Sequence, residues 1–177
     1  MRIIAGKYKS RRLKTLKGDH TRPSSDRLKE AMFNQLGPYF EKGTFLDLFG
    51  GSGAVGLEAL SRGIEKVTFI EKNPKAAKII RENSKSLDVL EHITVQVGDV
   101  KRLLKTINQK YDIIFMDPPY DYQEIDTIVN LASKHLKENG WLVVETYKDI
   151  ELEVSNDLIQ KDVRYYGISK LHYYQMP

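Results

Sequence analysis

Short apolar runs alternate with helical patterns along the chain from residue 44 onward. The apolar runs predict five strands, at Thr44–Leu48, Lys66–Glu71, His92–Val97, Tyr111–Met116 and Trp141–Thr146. The segments between them carry apolar residues at helical spacing and predict four helices, at Val55–Arg62, Pro74–Leu87, Val100–Ile107 and Ile125–Leu136. Almost entirely apolar strands joined by helices are typical of a parallel sheet that is covered on both faces. The pattern therefore predicts a Rossmann-like, doubly wound α/β fold.

The last part of the chain breaks this alternation. Residues Asp162–Tyr166 and Lys170–Gln175 both have a strand pattern, and only residues 167–169 separate them. That connection is too short for a helical crossover, so we expect an antiparallel hairpin at the sheet edge. The mostly parallel sheet would then have seven strands. The tyrosine pairs Tyr165-Tyr166 and Tyr173-Tyr174 could stack on bases, but packing within the sheet is the simpler interpretation.

The beginning of the chain predicts a hairpin followed by a helix. Gly6 separates two short apolar segments, a spacing that favours a hairpin over disorder. Ser24 or Ser25 can cap the helix that follows, and Gly37-Pro38 ends it.

Composition narrows the class of protein. A chain of 177 residues suits one domain, with residues 1–22 as a basic hairpin arm and residues 23–177 as the core. The absence of cysteine excludes disulfides and thiolate nucleophiles. No apolar stretch is long enough to span a membrane, and the basic start lacks the apolar segment of a signal peptide. We therefore expect a cytoplasmic protein.

Positive charge is concentrated at the start of the chain. Residues 1–27 contain nine basic and two acidic residues, whereas the remaining residues have a net charge of −3. A basic arm on a mildly acidic body is typical of contact with a nucleic-acid backbone, although an ordinary solvated tail is the alternative. The expected RNA contacts are Arg2, Lys7, Lys9, Arg11, Arg12 and Lys14.

A glycine-rich loop follows the first predicted strand. Gly51, Gly53 and Gly56 match the G-x-G-x-x-G pattern, which alone suggests a dinucleotide site. Asp47 opposes that interpretation, because a carboxylate beside the loop would repel a pyrophosphate and attract an ammonium or sulfonium group. S-adenosylmethionine carries both of these cations.

Acidic residues also end the second and third predicted strands. Glu71 lies twenty residues after Gly51, where a carboxylate can accept hydrogen bonds from the hydroxyls of a ribose. Asp99 could receive an adenine amino group or could cap the next helix, and the sequence leaves both roles open.

The fourth predicted strand runs into Asp117-Pro118-Pro119-Tyr120. Two consecutive prolines lack backbone N–H groups and fix φ, so the loop is rigid and presents hydrogen-bond acceptors. The Asp117 carboxylate and the Pro118 carbonyl could orient the exocyclic amine of a base, and Tyr120 offers a flat surface on which an unstacked base can lie. Asp117 could also take the proton that leaves the amine, or could only orient it.

Taken together, the glycine loop, Glu71, Asp99 and the Asp-Pro-Pro-Tyr loop resemble the amino-methyltransferases that use S-adenosylmethionine. The N-terminal residues narrow the resemblance to the RsmD-type family. The residues that carry it are Met1-Arg2-Ile3-Ile4-Ala5-Gly6, Thr21-Arg22-Pro23, Asp26-Arg27, Glu30 and Phe33-Asn34. The resemblance covers nearly the whole chain and implies methyl transfer to the N2 amine of one guanine in 16S ribosomal RNA of the small subunit.

The resemblance also implies a role for each matching residue. Thr21, Arg22 and Pro23 would help to wall the cofactor site. Asp47, Gly51 and Gly53 would hold the methionine part of the cofactor, Glu71 the ribose and Asp99 the adenine. The expected cofactor-binding set is completed by Phe49, Lys72, Val100 and Asp117. Asp117, Pro118, Pro119 and Tyr120 would hold the target base and form the catalytic loop.

Other functions remain open at this stage. An adenine-N6 methyltransferase acting on DNA or RNA would use the same loop, and a non-catalytic RNA-binding assembly factor could keep the fold. A nicotinamide-dependent dehydrogenase is disfavoured by Asp47. The four histidines lie far apart with no metal-ligand spacing, so we expect no metal site. The oligomeric state is not predicted beyond a preference for a monomer.

Overall fold

The computed structural model describes residues 1–18 and 24–177, without the side chains of Ser24 and Ser25. Over these two ranges it contains five α-helices: α1 (Ser24–Leu36), α2 (Ala54–Ser61), α3 (Pro74–Ser86), α4 (Val100–Leu104) and α5 (Ile125–Ser133). Seven strands accompany them: β1 (Thr44–Leu48), β2 (Lys66–Glu71), β3 (Ile93–Val97), β4 (Tyr111–Met116), β5 (Leu136–Tyr147), β6 (Ile159–Tyr166) and β7 (Ser169–Gln175). Within the described residues, no helix is long and apolar enough to cross a membrane.

The strands form one sheet in the order β3-β2-β1-β4-β5-β7-β6. β1 to β5 pair in parallel, whereas β7 pairs antiparallel with both β5 and β6. The predicted doubly wound fold with a C-terminal antiparallel hairpin is therefore confirmed. The chain order reverses direction between β1 and β4, and the carboxyl ends of strands at such a point are the usual ligand-binding edge of an open α/β sheet.

Because side chains alternate between the two faces along each strand, the sheet has a hydrophobic core on each face. Phe45, Phe69, Phe115 and Val143 point toward one face, where they pack with residues of α1, α2 and α3. Leu46, Ile70, Ile114 and Val144 point toward the other face, where they pack with residues of α4 and α5. Burial of each such side chain stabilises the fold by about 1.5–3 kcal/mol before the entropy cost is counted.

The largest difference from the sequence prediction lies between α5 and β5. The helix ends at Ser133 instead of Leu136, and β5 begins at Leu136 instead of Trp141. Leu136 pairs with Tyr111 of β4, and an irregularity in the register follows that pair. Leu136 falls at helical spacing after Val129 and Ala132, so the apolar pattern alone could not separate the end of the helix from the start of the strand.

The C-terminal tyrosines take two kinds of position. β7 is an inner strand, so Tyr173 and Tyr174 are both almost completely buried, as packing within the sheet predicts. β6 is the edge strand, and its Tyr165 is 63% exposed. For Tyr165 the packing interpretation was therefore wrong.

The basic N-terminal arm folds as the predicted hairpin. Arg2 and Arg12 form an antiparallel bridge, and the Leu13 amide donates to the Met1 carbonyl at 3.0 Å. Ile3 and Leu13 are buried in the core cluster that α1 and α2 also form. The hairpin is thus amphipathic, with its apolar side chains packed on the domain.

A buried carboxylate on α2 anchors this arm. Glu58 is fully buried, and its carboxylate accepts hydrogen bonds from the backbone amides of Ile4 and Ala5 at 2.9 and 3.0 Å. The same carboxylate accepts from Nε of Arg62 at 2.8 Å and lies 3.4 Å from Nζ of Lys29. Burial lowers the pKa of Lys29, and the neighbouring Glu58 charge partly offsets this effect. Glu58 therefore compensates two buried cations and two backbone amides, and Asp26 lies 3.9 Å from Nζ of the same Lys29.

Replacing Glu58 by Ala is expected to lower the free energy of unfolding by about 3–5 kcal/mol, because Arg62 and Lys29 would lose their shared buried partner. Urea denaturation followed by circular dichroism measures this change. The matched control is Glu65→Ala, since Glu65 is exposed and its removal should change stability by no more than about 0.5 kcal/mol. Equal stabilities of the two variants would contradict the anchoring role.

Candidate active site

A cavity of about 860 Å³ opens at the carboxyl ends of the parallel strands. This volume lies in the range that small-molecule sites usually have. Its wall combines the glycine loop, the Asp-Pro-Pro-Tyr loop, the ends of β2 and β5, part of α1 and the β6–β7 turn. Of the residues predicted from sequence, those that line it are Asp47, Phe49, Gly51, Glu71, Lys72, Asp99, Val100, Asp117, Pro118, Pro119 and Tyr120.

Four carboxylates stand side by side along this edge. Asp47, Glu71, Asp117 and Glu145 belong to the ends of β1, β2, β4 and β5, and all four line the cavity. Each comes two residues after a side chain of the α1–α3 core, namely Phe45, Phe69, Phe115 and Val143. Because strand side chains alternate with a period of two, all four carboxylates point toward the same face. The edge is therefore strongly acidic.

Asp47 is the most deeply buried of the four, at 2% exposure. Burial raises the pKa of Asp47 well above its ordinary value. The Gly56 amide donates to Oδ2 at 3.1 Å and opposes this shift. The charges of Asp117 and Glu71 add to the shift. A carboxylate in this position is stabilised by any cation that enters the cavity.

The glycine loop is arranged around a carboxylate. The Gly51 amide donates to Oε2 of Glu71 at 2.7 Å, and the Asn73 amide donates to Oε1 at 2.8 Å. In a dinucleotide site the amides of such a loop face the pyrophosphate. Here the Gly51 amide faces Glu71, which disfavours an anionic ligand at the loop and agrees with the argument from Asp47.

The other two glycines of the motif allow a tight turn and close packing of the backbone. Gly53 precedes α2 with φ of 83°, a left-handed conformation that favours glycine, and it lies outside the cavity lining, against Ile80. A Cβ atom at Gly56 would lie 2.4 Å from the ring of Phe69, so this position lets α2 approach β2 closely. Gly53 was predicted to touch the cofactor, and that contact stays a prediction.

Asp99 caps α4, since its Oδ1 accepts from the Arg102 amide at 2.9 Å. It also lines the cavity, so the two roles that the sequence left open are compatible. Val100 is buried below it, and Lys72 is exposed at the cavity rim. Whether these residues contact a cofactor stays a prediction.

The Asp-Pro-Pro-Tyr loop follows β4 and forms another part of the cavity wall. Pro118 is buried, whereas Asp117, Pro119 and Tyr120 are exposed. The Tyr122 amide donates to the Pro119 carbonyl at 2.9 Å and closes the turn. The Tyr120 ring is 74% exposed and meets the Tyr147 ring edge-to-face, with centroids 5.2 Å apart. This loop thus presents a carboxylate beside an accessible aromatic ring.

Sequence reasoning missed several lining residues. Met1 and Thr15 of the arm, together with Leu28, Lys29 and Met32 of α1, reach the cavity, as do Glu145, Tyr147 and Ser169 near the hairpin. Glu145 had a recognisable signal, because an acidic residue within an otherwise apolar strand near its carboxyl end is unusual. Thr21, Arg22 and Pro23 lie outside the described residues.

The predicted RNA-contacting side chains are all exposed on the arm. Arg2 pairs with Asp26 at 3.6 Å, Lys14 pairs with Glu82 at 3.1 Å, and Arg11 donates to the Ser86 carbonyl at 2.6 Å. Over residues 1–18 and 24–177, Lys7, Lys9 and Arg12 form no salt bridge. In the same part of the chain, no group of three or more acidic, histidine or cysteine side chains is arranged to hold a metal ion.

Comparison with known proteins adds independent information. The family model described as "Conserved hypothetical protein 95" matches residues 1–175. The Bacillus subtilis (strain 168) protein YlbH, whose name marks it as a candidate rRNA methyltransferase, is 38% identical over 99% of this chain and 98% of its own length. "Ribosomal RNA small subunit methyltransferase D" from Haemophilus influenzae is 36% identical over 84% of this chain and 80% of its own length.

A solved structure shows the same fold over nearly the whole chain. A hypothetical protein from Thermus thermophilus is 33% identical and superposes with a TM-score of 0.82, with 98% of each chain covered. The family model covers nearly the whole chain, and the relatives extend over most of their own lengths. The chain therefore belongs to the RsmD-type methyltransferase family.

Proposed function

We propose that this chain transfers a methyl group from S-adenosylmethionine to the exocyclic N2 amine of one guanine in the 16S RNA of the small ribosomal subunit. The chain is an S-adenosylmethionine-dependent rRNA methyltransferase, and the target amine and the small-subunit context are the new part of the proposal. The observation that carries it is one cavity that joins a carboxylate-lined half to the Asp-Pro-Pro-Tyr loop.

The residues at the β1, β2 and β3 ends, together with Asp117 at the β4 end, fit the methyl donor. S-adenosylmethionine, when bound, supplies a methyl group already activated by its positively charged sulfur. Asp47 and Asp117 attract that charge and the ammonium group, Glu71 accepts from the ribose hydroxyls, and Asp99 accepts from the adenine amine. Burial, and to a smaller extent the charges of Asp117 and Glu71, raise the pKa of Asp47, and a cation at this point offsets both effects.

The residues at the β4 end fit the methyl acceptor. The lone pair of an exocyclic amine is shared with the base ring, so the amine is a weak nucleophile. Hydrogen bonds from its two N–H groups to the Asp117 carboxylate and the Pro118 carbonyl orient the lone pair toward the donor. Tyr120 supports the flipped base through stacking, and Asp117 is placed to accept the proton that the amine loses.

The arm provides the electrostatic contact with RNA. Its apolar side packs on the domain, its six basic residues face solvent, and Met1 reaches the cavity. Phosphate groups near the target base would therefore meet positive charge beside the cavity mouth. A rigid arm recognises the shape of a folded RNA, which agrees with a substrate that is structured within the subunit.

The central experiment gives labelled S-adenosylmethionine to the enzyme with naked 16S RNA, small subunits lacking the modification, or duplex DNA. We expect N2-methylguanosine in RNA, identified by mass spectrometry, and turnover reduced at least about 100-fold in Asp117→Ala with donor affinity changed less than about tenfold. Glu138→Ala, at an exposed position near the start of β5, is the control and should keep wild-type turnover. N6-methyladenosine as the product, or near wild-type turnover of Asp117→Ala, would refute the proposal.

Asp47→Asn is expected to stabilise the free protein and to weaken donor binding by about 10- to 100-fold. The folded-state pKa of Asp47 is raised, so wild-type stability falls as the pH rises above about 4, the ordinary pKa, toward the folded-state value. An Asn side chain does not ionise, so the stability of the variant does not fall in this way as the pH rises. Its side-chain oxygen can still accept the hydrogen bond from the Gly56 amide. Thermal unfolding at pH 5 and pH 8 tests the stability, and calorimetry tests donor affinity; wild-type affinity in the variant would contradict the assigned role.

Replacing Lys9 and Arg12 together, as Lys9→Ala with Arg12→Ala, should weaken RNA binding. The slope of log Kd against the logarithm of the salt concentration should fall by about one for each lost phosphate contact. The matched control is Lys105→Ala with Lys134→Ala, which removes two exposed cations from the opposite, α4–α5 side of the sheet. Filter binding over a series of salt concentrations provides the measurement. An identical salt slope for both double variants would exclude the arm from the RNA interface.

A further inference from the structure

We propose that Glu145 makes the acceptor pocket selective for guanine by accepting a hydrogen bond from the N1–H group of the target base. This inference rests on the proposed function, because it concerns the base whose N2 amine is methylated. It assigns a specificity-determining role to a residue at the end of β5 that the Asp-Pro-Pro-Tyr motif does not include.

The strand register places Glu145 beside the amine-binding group. Met116 of β4 pairs with Val144 of β5 in parallel, so Asp117 and Glu145 are the next residues on two neighbouring strands. Neighbouring strands lie about 4.8 Å apart, and both side chains point toward the same face. Both also line the cavity. A group bound at Asp117 therefore presents the adjacent atoms of its ring to Glu145.

The β6–β7 hairpin positions the Glu145 side chain. Glu145 pairs with Leu171 of β7, and its Oε1 accepts from the Ser169 hydroxyl at 3.0 Å. Ser169 is only 7% exposed and belongs to the cavity wall. A carboxylate has about four acceptor positions on its two oxygens, so this bond is compatible with a contact to a base. The hydrogen bond limits the rotamers of Glu145 and keeps the carboxylate at the wall.

The chemistry of the bases gives the selectivity. In guanine the ring nitrogen N1 next to the exocyclic amine carries a hydrogen and donates. In adenine and cytosine the ring nitrogen next to the amine carries a lone pair instead. A carboxylate beside that nitrogen accepts a hydrogen bond from guanine and repels the lone pair of adenine or cytosine. The Asp-Pro-Pro-Tyr loop recognises an amine, and Glu145 determines which base the amine belongs to.

The experiment compares two bases that carry the same amine. 2-Aminopurine keeps the exocyclic 2-amine, but its N1 has a lone pair and no hydrogen. It is placed in a synthetic substrate RNA at the guanine that mass spectrometry identifies as the methylated one. Wild-type enzyme should prefer guanine over 2-aminopurine by about 100-fold or more in kcat/KM, because a site that loses a buried hydrogen-bond partner rejects the analogue strongly.

Glu145→Gln should reduce this preference to below about tenfold and leave the affinity for S-adenosylmethionine within about threefold of the wild type, since the amide is nearly isosteric and its NH2 group can donate to a lone pair. Ser169→Ala, which only releases Glu145, should reduce the preference by an intermediate factor. An equal loss of kcat/KM on both bases in both variants would mean that Glu145 is merely structural, and would overturn the inference.

The failure of this inference can be told apart from failure of the proposed function. If wild-type enzyme forms no N2-methylguanosine, then the proposed function itself is wrong. If wild-type enzyme forms N2-methylguanosine and the guanine preference is unchanged in Glu145→Gln, only the role of Glu145 is wrong. Thermal unfolding and donor binding of each variant establish that the protein is folded in both comparisons.

Discussion

The burial of carboxylates beside one another at one sheet edge is the constraint on which this site depends. The parallel register brings Asp47, Glu71, Asp117 and Glu145 together, and the fold compensates them with hydrogen-bond donors from Gly56, Gly51, Asn73 and Ser169. Burial of uncompensated charge would otherwise destabilise the domain. The amides that other doubly wound folds direct at phosphate are used here to hold acids. The electrostatic preference of this glycine loop is therefore opposite to that of a phosphate-binding loop.

The same constraint leaves an electrostatic cost at the cavity. Free of ligand, Asp47 is buried next to two further negative charges. A cationic ligand reduces this repulsion, so binding energy and local electrostatic relief act in the same direction. Beneath the arm, Glu58 compensates Arg62 and Lys29, and Lys29 also lines the cavity. The buried charges around Glu58 are thus paired within the protein. At the cavity, burial leaves the pKa of Asp47 raised.

The sequence predicted the sheet well where apolar runs have sharp limits, as for Thr44–Leu48 and Tyr111–Met116, whose bounds match the structure. The predicted boundary between helix and strand was wrong at Leu136, because this apolar residue fits both the helical spacing of α5 and a pair with β4. Glu58 could not be recognised as an anchor, because its partners Ile4 and Ala5 are more than fifty residues away along the chain. Candidate residues were predicted at positions that follow a strand. Glu145 does not follow a strand, because β5 continues through Tyr147. Local pattern thus specifies elements, and long-range contacts decide what individual polar residues do.

β5 has parallel pairing with β4 along one side and antiparallel pairing with β7 along the other. The pocket wall at residues 167–169 is consequently encoded far along the chain from the segments that contact the donor half. Mutations in that turn can reshape the surface offered to RNA while the donor half stays constant. The part of the cavity that the hairpin supplies can therefore change independently of the residues at the β1, β2 and β3 ends.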